Sequence, residues 1–285
     1  MPDIIDLHTH TTASDGTLSP AELVALARES GLRAVAITDH DTLDGLPEAL
    51  ETSRRWNYEV IAGVELSVDF RGKAVHMLGY CLDPHDRTLH GKLAWAQEQR
   101  ETRNARMVAR FNELGIPMTL DEVIAESGDG VIGRPHFAAV LLRKKVVASI
   151  NEAFDIYLNR SGKAYLPKVR FSAAEAITLI RAAGGLPVLA HPMLIGWPPL
   201  TLDDAVAELK AAGLIGIEVL YTEHNPAQVQ ILWDIATRHG LLRTGGSDFH
   251  GANKPQTRLG RGRGDLAVPA SWLAALLAAR PAVTG

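Results

Sequence analysis

Short runs of aliphatic and β-branched residues alternate along the chain with stretches whose apolar positions recur at helical spacing. Ile4-Ile5-Asp6-Leu7 is the first extended run. Ser19-Pro20-Ala21-Glu22 then opens a helix: Ser at the N-cap, Pro in the first turn, Glu three residues after the cap. Leu23, Leu26 and Ala27 form its apolar face, and Gly31 stops it. Ala34 to Ile37 reads as a second strand, Leu46 to Arg55 as a helix, and Val60-Ile61-Ala62 as a third strand ending at Glu65. Ala74 to Leu78 is a fourth. The rhythm resumes after residue 170, with a second capping box at Ser172-Ala173-Ala174-Glu175 and a strand over Pro187 to Ala190. A helix opens at Thr201-Leu202-Asp203-Asp204, Leu214 to Leu220 is a strand, a helix runs from Asn225-Pro226 to Gly240, and Leu241 to Thr244 is the seventh strand. Seven strands with helices between most of them predict an α/β fold of barrel type. An open doubly wound sheet uses the same elements, so periodicity leaves the topology open.

Residues 85–168 break this alternation. They read as helical, without a strand, and carry turn signals at Gly128-Asp129-Gly130 and Ser161-Gly162. The expected organisation is an α/β body of residues 1–84 and 169–285 with a helical insertion at 85–168. A single cysteine, Cys81, excludes a disulfide framework and a cysteine-cluster zinc site. With 29 Lys and Arg against 33 Asp and Glu, the net charge of −4 excludes a polybasic coat for nucleic acid or membrane. The start lacks a basic segment followed by an apolar one, and no apolar run approaches a span of roughly 18 residues. The expectation is a cytoplasmic protein.

The placement of the 11 histidines changes the picture. His8-Thr9-His10 ends the first strand, with Asp15 beyond it; Thr38-Asp39-His40-Asp41 ends the second, Gly63-Val64-Glu65 the third; His76 lies on the fourth. Ala190-His191-Pro192 and Gly246-Ser247-Asp248-Phe249-His250 end two more. A parallel barrel gathers its catalytic residues at the carboxyl ends of its strands. The alternation of a strand puts both side chains of His8-x-His10, and of Asp248-x-His250, on one face. Imidazole and carboxylate suit zinc, manganese or iron in a site without sulfur. His8, His10, Asp15, His40, Glu65, His76, His191, Asp248 and His250 exceed the four ligands of one tetrahedral ion, so a cluster of two or three ions is expected.

These motifs resemble those of the PHP (polymerase and histidinol phosphatase) family. The resemblance implies a distorted seven-stranded (β/α) barrel with a trinuclear centre for phosphoester hydrolysis. Carried over motif by motif, His8, His10, Glu65 and Asp248 would hold one ion, Glu65, His76 and His191 a second, and Asp15, His40 and His250 a third. Many members carry His where this chain has Asp15. Manganese is the expected metal, with zinc or iron as alternatives. Water between two cations loses a proton near neutral pH, so the expected nucleophile is a bridging hydroxide, with Glu65 and Asp248 organising it.

The insertion bears on the substrate. Arg100, Arg103, Arg106 and Arg110, spaced 3, 3 and 4, read as one helical stripe, either solvated and paired with Glu98 and Glu101 or turned to a substrate phosphate. Gly133-Arg134-Pro135-His136 presents Arg134 on a constrained turn. With Arg103-Asn104-x-Arg106 and Asp39-His40-Asp41-Thr42, it resembles a PHP subgroup that removes the 3′-phosphate from 3′,5′-nucleoside bisphosphates, with related members trimming short RNA from its 5′ end. Arg134, Arg103, Asn104, Arg106, Asp41 and His136 are therefore the expected substrate contacts, and His224, just past the sixth strand, is read as a catalytic residue that touches substrate or donates a proton, with a helix-entry role as the alternative. His85, His90 and His239 read as solvated, and Trp197 as core or a base-stacking ring. The negative net charge disfavours long nucleic acid, whose binding rests on many phosphate contacts. A small nucleotide or short RNA end is expected, rather than duplex DNA or a membrane. The alternatives are a phosphatase for a small monoester such as histidinol phosphate, a metal-binding module without activity, and a processive nuclease.

Overall fold

The computed structural model describes residues 3–127, 132–167 and 169–280; the Gly128-Asp129-Gly130 turn signal lies outside the described residues. The elements run β1 (Ile4–Ile5), α1 (Pro20–Glu29), β2 (Ala34–Ile37), α2 (Leu46–Trp56), β3 (Glu59–Phe70) and β4 (Lys73–Tyr80). Next come α3 (Arg87–Glu113), α4 (Leu120–Ser127), α5 (Arg134–Arg143) and α6 (Ile150–Ala153). The chain then forms β5 (Phe171–Ser172), α7 (Ala173–Ala182), β6 (Leu186–Leu189), α8 (Pro199–Ala211), β7 (Gly216–Tyr221), α9 (Pro226–His239), β8 (Leu242–Gly246), β9 (Val268–Pro269) and α10 (Ala270–Ala278). Both predicted capping boxes form, Ser19 with Glu22 and Ser172 with Glu175, and Asn225 caps α9. The eighth helix starts at Pro199 rather than Thr201, because proline fits the first helical position.

The main sheet runs β2-β3-β4-β6-β7-β8, with β5 added on β3. The chain following β1 lies between the two ends of this sheet. Asp6 N donates to Ala34 O (3.2 Å) and Ala36 N to Asp6 O (2.8 Å) on one side, while Leu7 N donates to Gly245 O (3.1 Å) and Asp248 N to His8 O (2.8 Å) on the other. Seven strands thus close into a distorted barrel, which decides between the two topologies that periodicity allowed.

A strand boundary is corrected as well. The third strand does not end at Glu65; it continues to Phe70 and turns back through Arg71 and Gly72, both left-handed (φ 51 and 71), into the antiparallel β4. Val64, Leu66, Val68 and Phe70 keep one face buried, so the charged residue at 65 interrupts nothing. A two-residue turn can return a strand only antiparallel. Glu65 therefore sits with His76 inside a β-ribbon rather than at a strand end.

The described residues divide into two compact units, those within 1–93 and 170–285 and those within 94–169. The first packs Ile5, Leu7, Ala36, Leu78, Tyr80 and Val188 inside the barrel against Val268, Leu273 and Leu276. The second has its own core, including Met107, Phe111, Phe137, Val140 and Leu158, with the Phe111 and Phe137 rings stacked 6.1 Å apart. Among the described residues, no helix is long and apolar enough to cross a membrane.

Candidate metal centre

Glu65, inside β3 and 1% exposed, is the focus of the site. Its Oε2 lies 3.2 Å from His8 Nε2, 3.2 Å from His10 Nε2 and 3.1 Å from His40 Nδ1. Its Oε1 lies 2.9 Å from both His76 Nδ1 and His191 Nε2. One carboxylate is thereby ringed by five imidazoles delivered from the ends of β1, β2 and β6 and from β4. Asp248, just past β8, places Oδ1 3.2 Å from His10 Nε2 and 3.6 Å from His8 Nε2. His250 Nε2 faces Asp15 Oδ1 at 3.2 Å.

Three sets of ligand atoms each gather within 4.8 Å: His8, His10, Glu65 and Asp248; His10, Asp15, His40 and His250; and His40, Glu65 and His76. The nine residues expected from sequence thus come together, with two changes of grouping. His10 is shared between two sets, and His40 stands with Glu65 and His76 as well as with Asp15. His191 meets the same Glu65 oxygen as His76. Only folding could show this sharing, because it depends on how far each strand end leans over the barrel mouth.

The donor set fits divalent cations on its own chemistry. Among the described residues, His8 Nε2 and both ring nitrogens of His10 are buried without a hydrogen-bond partner; such an arrangement is costly unless another partner satisfies them. Negative carboxylates and buried ring nitrogens converge where positive charge is stabilised. The titration of these groups reflects the same crowding. Burial opposes charge on His8, but the carboxylates of Glu218, Glu65 and Asp248 outweigh it and hold its pKa well above the ordinary value. His10, likewise resisted by burial, is raised to about 9 by Asp248 and Glu65. Burial also opposes ionisation of Glu65 and Asp248, yet the surrounding histidines hold both well below the usual carboxylate range. Asp15 is lowered by His250, His40 and His10 against its own burial. His40 moves the other way, to about 3, because burial and the neighbouring His10 outweigh the carboxylates.

Backbone strain marks the same places. Asp41, His191 and Asp248 adopt left-handed conformations (φ 53, 26 and 54). Such strain persists where surrounding interactions over-determine it. Asp41, 2% exposed, accepts from Ser67 N (2.7 Å) and Ser67 Oγ (2.8 Å). Asp39 accepts from Thr11 N, Thr11 Oγ1 and Ser14 Oγ at 2.6–2.8 Å, pinning the loop that carries Asp15 to the end of β2.

The remaining expected residues fall in different settings. His224 lies beside the Tyr221 ring, 5.1 Å away, and its Nδ1 meets Val219 O at 3.0 Å. A carbonyl only accepts, so the proton is on Nδ1, and among the described residues the buried Nε2 has no partner. Burial lowers the pKa of His224, and in the neutral form Nε2 is an acceptor. In the helical unit, Arg103 (8% exposed) donates to Leu166 O at 2.9 Å and Asn104 is 2% exposed, whereas Arg106 and Arg110 are exposed. The single arginine stripe expected from spacing is therefore split: three-residue steps turn by 300°, so successive side chains drift off one face. Arg134 donates to Leu158 O (3.1 Å) and lies 5.7 and 5.9 Å from the Phe154 and Tyr165 ring centres. His136 Nδ1 accepts from Gly133 N at 3.0 Å, capping α5. Trp197 packs edge-to-face on Phe70, 5.9 Å away. His239, read as solvated, instead pairs with Asp203 at 2.8 Å, and His90 meets Pro84 O at 2.7 Å.

Four functional neighbours were not legible in the sequence. Glu218, fully buried on β7, reaches His8 Nδ1 at 3.0 Å and accepts from His191 N at 2.7 Å. Tyr221 Oη donates to Asp248 Oδ2 (2.9 Å), and Lys254 Nζ lies 2.6 Å from the same oxygen. Asp6 accepts from Ser247 and His8 beneath the cluster. The available signal was an acidic residue inside the apolar β7 run, which is costly to bury without a purpose.

Comparisons with known proteins agree with this geometry. Residues 6–158 match the family model of the PHP domain. The 5′-3′ exoribonuclease of Haemophilus influenzae is 33% identical over 245 residues, covering 86% of this chain and 89% of its own. The 3′,5′-nucleoside bisphosphate phosphatase of Chromobacterium violaceum is 33% identical, covering 86% and 87%. The crystal structure of a Bifidobacterium adolescentis protein, assigned as a metal-dependent phosphoesterase, superposes with a TM-score of 0.80 at 34% identity and covers 99% of both chains. A carboxylate ringed by histidines in a seven-stranded barrel, the matched family model and relatives alike over nearly their whole length lead to one conclusion: the chain is a metal-dependent hydrolase that belongs to the PHP domain family.

Proposed function

We propose that the chain hydrolyses the 3′-phosphate of 3′,5′-nucleoside bisphosphates, releasing a nucleoside 5′-monophosphate, and also acts on short RNA from the 5′ end. The observation that carries the phosphoesterase reading is the Glu65 carboxylate within 2.9–3.2 Å of five imidazole nitrogens. The nucleotide reading is supported by the two curated relatives, one named a bisphosphate phosphatase and the other a 5′-3′ exoribonuclease. Three divalent ions, manganese first, would be held by His8, His10, Glu65 and Asp248, by Glu65, His76 and His191, and by Asp15, His40 and His250. When bound, such ions supply Lewis acidity that brings water near neutral acidity and offsets charge on the phosphoryl oxygens.

The chain's residues do the rest. Glu65 and Asp248 set the spacing of the ligand groups, and Tyr221 and Lys254 hold Asp248 Oδ2 so that Oδ1 faces the cluster. His224 Nε2, an acceptor beside Tyr221, is the proposed proton carrier: it would take up the proton released by the attacking water and return it to the leaving oxygen. Arg134, Arg103, Asn104, Arg106, His136 and Asp41 are the proposed substrate contacts, with guanidinium recognition of the second phosphate. The net charge of −4 suits a small anionic substrate held by a few cationic groups better than a long polyanion.

The test is phosphate release from a panel of nucleotides and histidinol phosphate, using metal-stripped protein with added Mn, Zn or Fe. The expected result is metal-dependent turnover that is fastest with the 3′,5′-bisphosphate. Equal or faster turnover of histidinol phosphate overturns the substrate assignment, and absence of phosphate release from every substrate overturns the catalytic one.

A further inference from the structure

We infer that Glu218 is a positioning residue that orients two metal ligands at once and thereby couples the ion groups they serve; this rests on the metal-centre reading above. Glu218 is on β7, fully buried, and belongs to none of the three ligand sets. Its two oxygens have separate tasks. Oε1 lies 3.0 Å from His8 Nδ1, and Oε2 accepts from the backbone N–H of His191 at 2.7 Å. A carboxylate only accepts, so the first contact keeps a proton on Nδ1, and when His8 gives up its other proton to bind an ion the lone pair appears on Nε2. That Nε2 atom is the one buried without a hydrogen-bond partner and 3.2 Å from Glu65.

The second contact acts on conformation. His191 follows β6 with φ 26 and ψ 57, a backbone geometry that a β-carbon resists. The Glu218 oxygen captures its N–H and holds this turn, directing the imidazole to Glu65 Oε1. The carboxylate thus ties the end of β1 to the end of β6 across the barrel interior. A histidine ligand generally donates its second ring N–H to such an outer acceptor, and losing that acceptor costs 10–100-fold in metal affinity. Here one acceptor serves two ligands.

Glu218→Gln separates this role from mere space filling. The amide has the same shape, yet it accepts at one end and donates at the other. If its oxygen keeps the His191 N–H, its NH₂ faces His8 Nδ1, moves the His8 proton to Nε2 and removes that lone pair from the cluster. If it turns over, the His191 N–H meets another donor. Among the described residues, Asp15, His40 and His250, the proposed ligands of the third ion, make no hydrogen bond or ion pair with Glu218, so that ion serves as the internal control.

The experiment titrates metal-free wild-type, E218Q and E218D proteins with Mn and Co by calorimetry, with the Co absorption spectrum as a second readout. The expected result is a roughly 10–100-fold weaker affinity in E218Q for the ions that need His8 and His191. The binding attributed to Asp15, His40 and His250 should be unchanged. E218D, which keeps the charge but is one methylene shorter, should fall between wild type and E218Q. Wild-type affinities at every site in E218Q overturn the inference. A uniform loss at all sites in both variants also overturns it, because Glu218 would then serve the fold alone. Failure of wild type to bind any ion overturns the metal-centre reading itself.

Discussion

Replacing Asp6 by Asn tests whether one buried carboxylate holds the strands that carry the ligands. Asp6 is fully buried and four donors converge on it. Oδ1 accepts from His8 N (3.2 Å) and Ser247 N (2.9 Å), and Oδ2 from Ser247 Oγ (2.5 Å) and Gly260 N (2.7 Å). An amide of the same shape accepts at only one of these positions. The cheaper orientation of Asn keeps the His8 and Ser247 N–H groups, lets the Ser247 hydroxyl rotate away, and leaves the Gly260 N–H unpaired. One buried unpaired donor costs roughly 1–3 kcal/mol. Burial raises the pKa of Asp6, so Asn recovers part of this by removing a desolvated charge. The net expectation is a loss of about 1–2 kcal/mol for D6N, and about 3–5 kcal/mol for D6A, which leaves three N–H groups unpaired. The pH dependence carries a second signature. A carboxyl whose folded pKa is raised contributes stability in full below its ordinary value, and that stability is lost as pH rises through the folded value. D6N should lack this downward slope. Urea unfolding of the metal-free proteins across pH is the assay. A D6N protein within 0.5 kcal/mol of wild type at pH 7 would refute the convergence argument.

Glu65→Gln should lower metal-supported turnover by roughly 10²–10³-fold and reduce the bound metal measured by elemental analysis; full metal content with unchanged turnover would sink the assigned role of Glu65. Metal at 100 times its Kd should raise stability by about 2.7 kcal/mol over chelated protein, seen as a shift in the thermal midpoint, and an unshifted midpoint would contradict a folded-state metal site. Metal binding should release protons at pH 7 to 8. The reason is that His10, with its pKa raised to about 9 in the metal-free fold, is charged there and must lose its proton to bind an ion. Affinity should therefore rise with pH up to about 9, and calorimetry in buffers of different ionisation enthalpy counts the protons. The same shift means that His10 stabilises the metal-free fold fully below 6.5 and loses that contribution as pH rises through about 9. Arg134→Ala should raise KM for the bisphosphate about tenfold or more while sparing a monophosphate lacking the second group. A drop in stability with unchanged KM would assign Arg134 to its contacts with Leu158, Phe154 and Tyr165 alone.

The sequence by itself determined the helix starts at Ser19, Ser172 and Asn225, the positions of seven strands, though not β5, β9 or the end of β3, and the histidine-carboxylate inventory. Each of these is written in local spacing: caps are set within four residues, strands by alternation, and ligand types by the residues next to each strand end. Tertiary structure decided what depends on distant parts of the chain meeting. The run past β1 became the strand that closes the barrel because β2 and β8 supply hydrogen bonds on both of its sides. Glu65 became the focus of five imidazoles because β3 continues past it into a ribbon and places it inside the mouth of the barrel. Arg103 and Arg106, three residues apart, parted into core and solvent because packing of the helical unit reads a helix by angle rather than by count. Glu218 shows the same division: one acid in an apolar strand is visible to anyone reading the sequence, but its partners lie 210 and 27 residues away. A hydrogen bond between such distant groups has no periodicity to betray it, and only the folded barrel brings them within 3 Å.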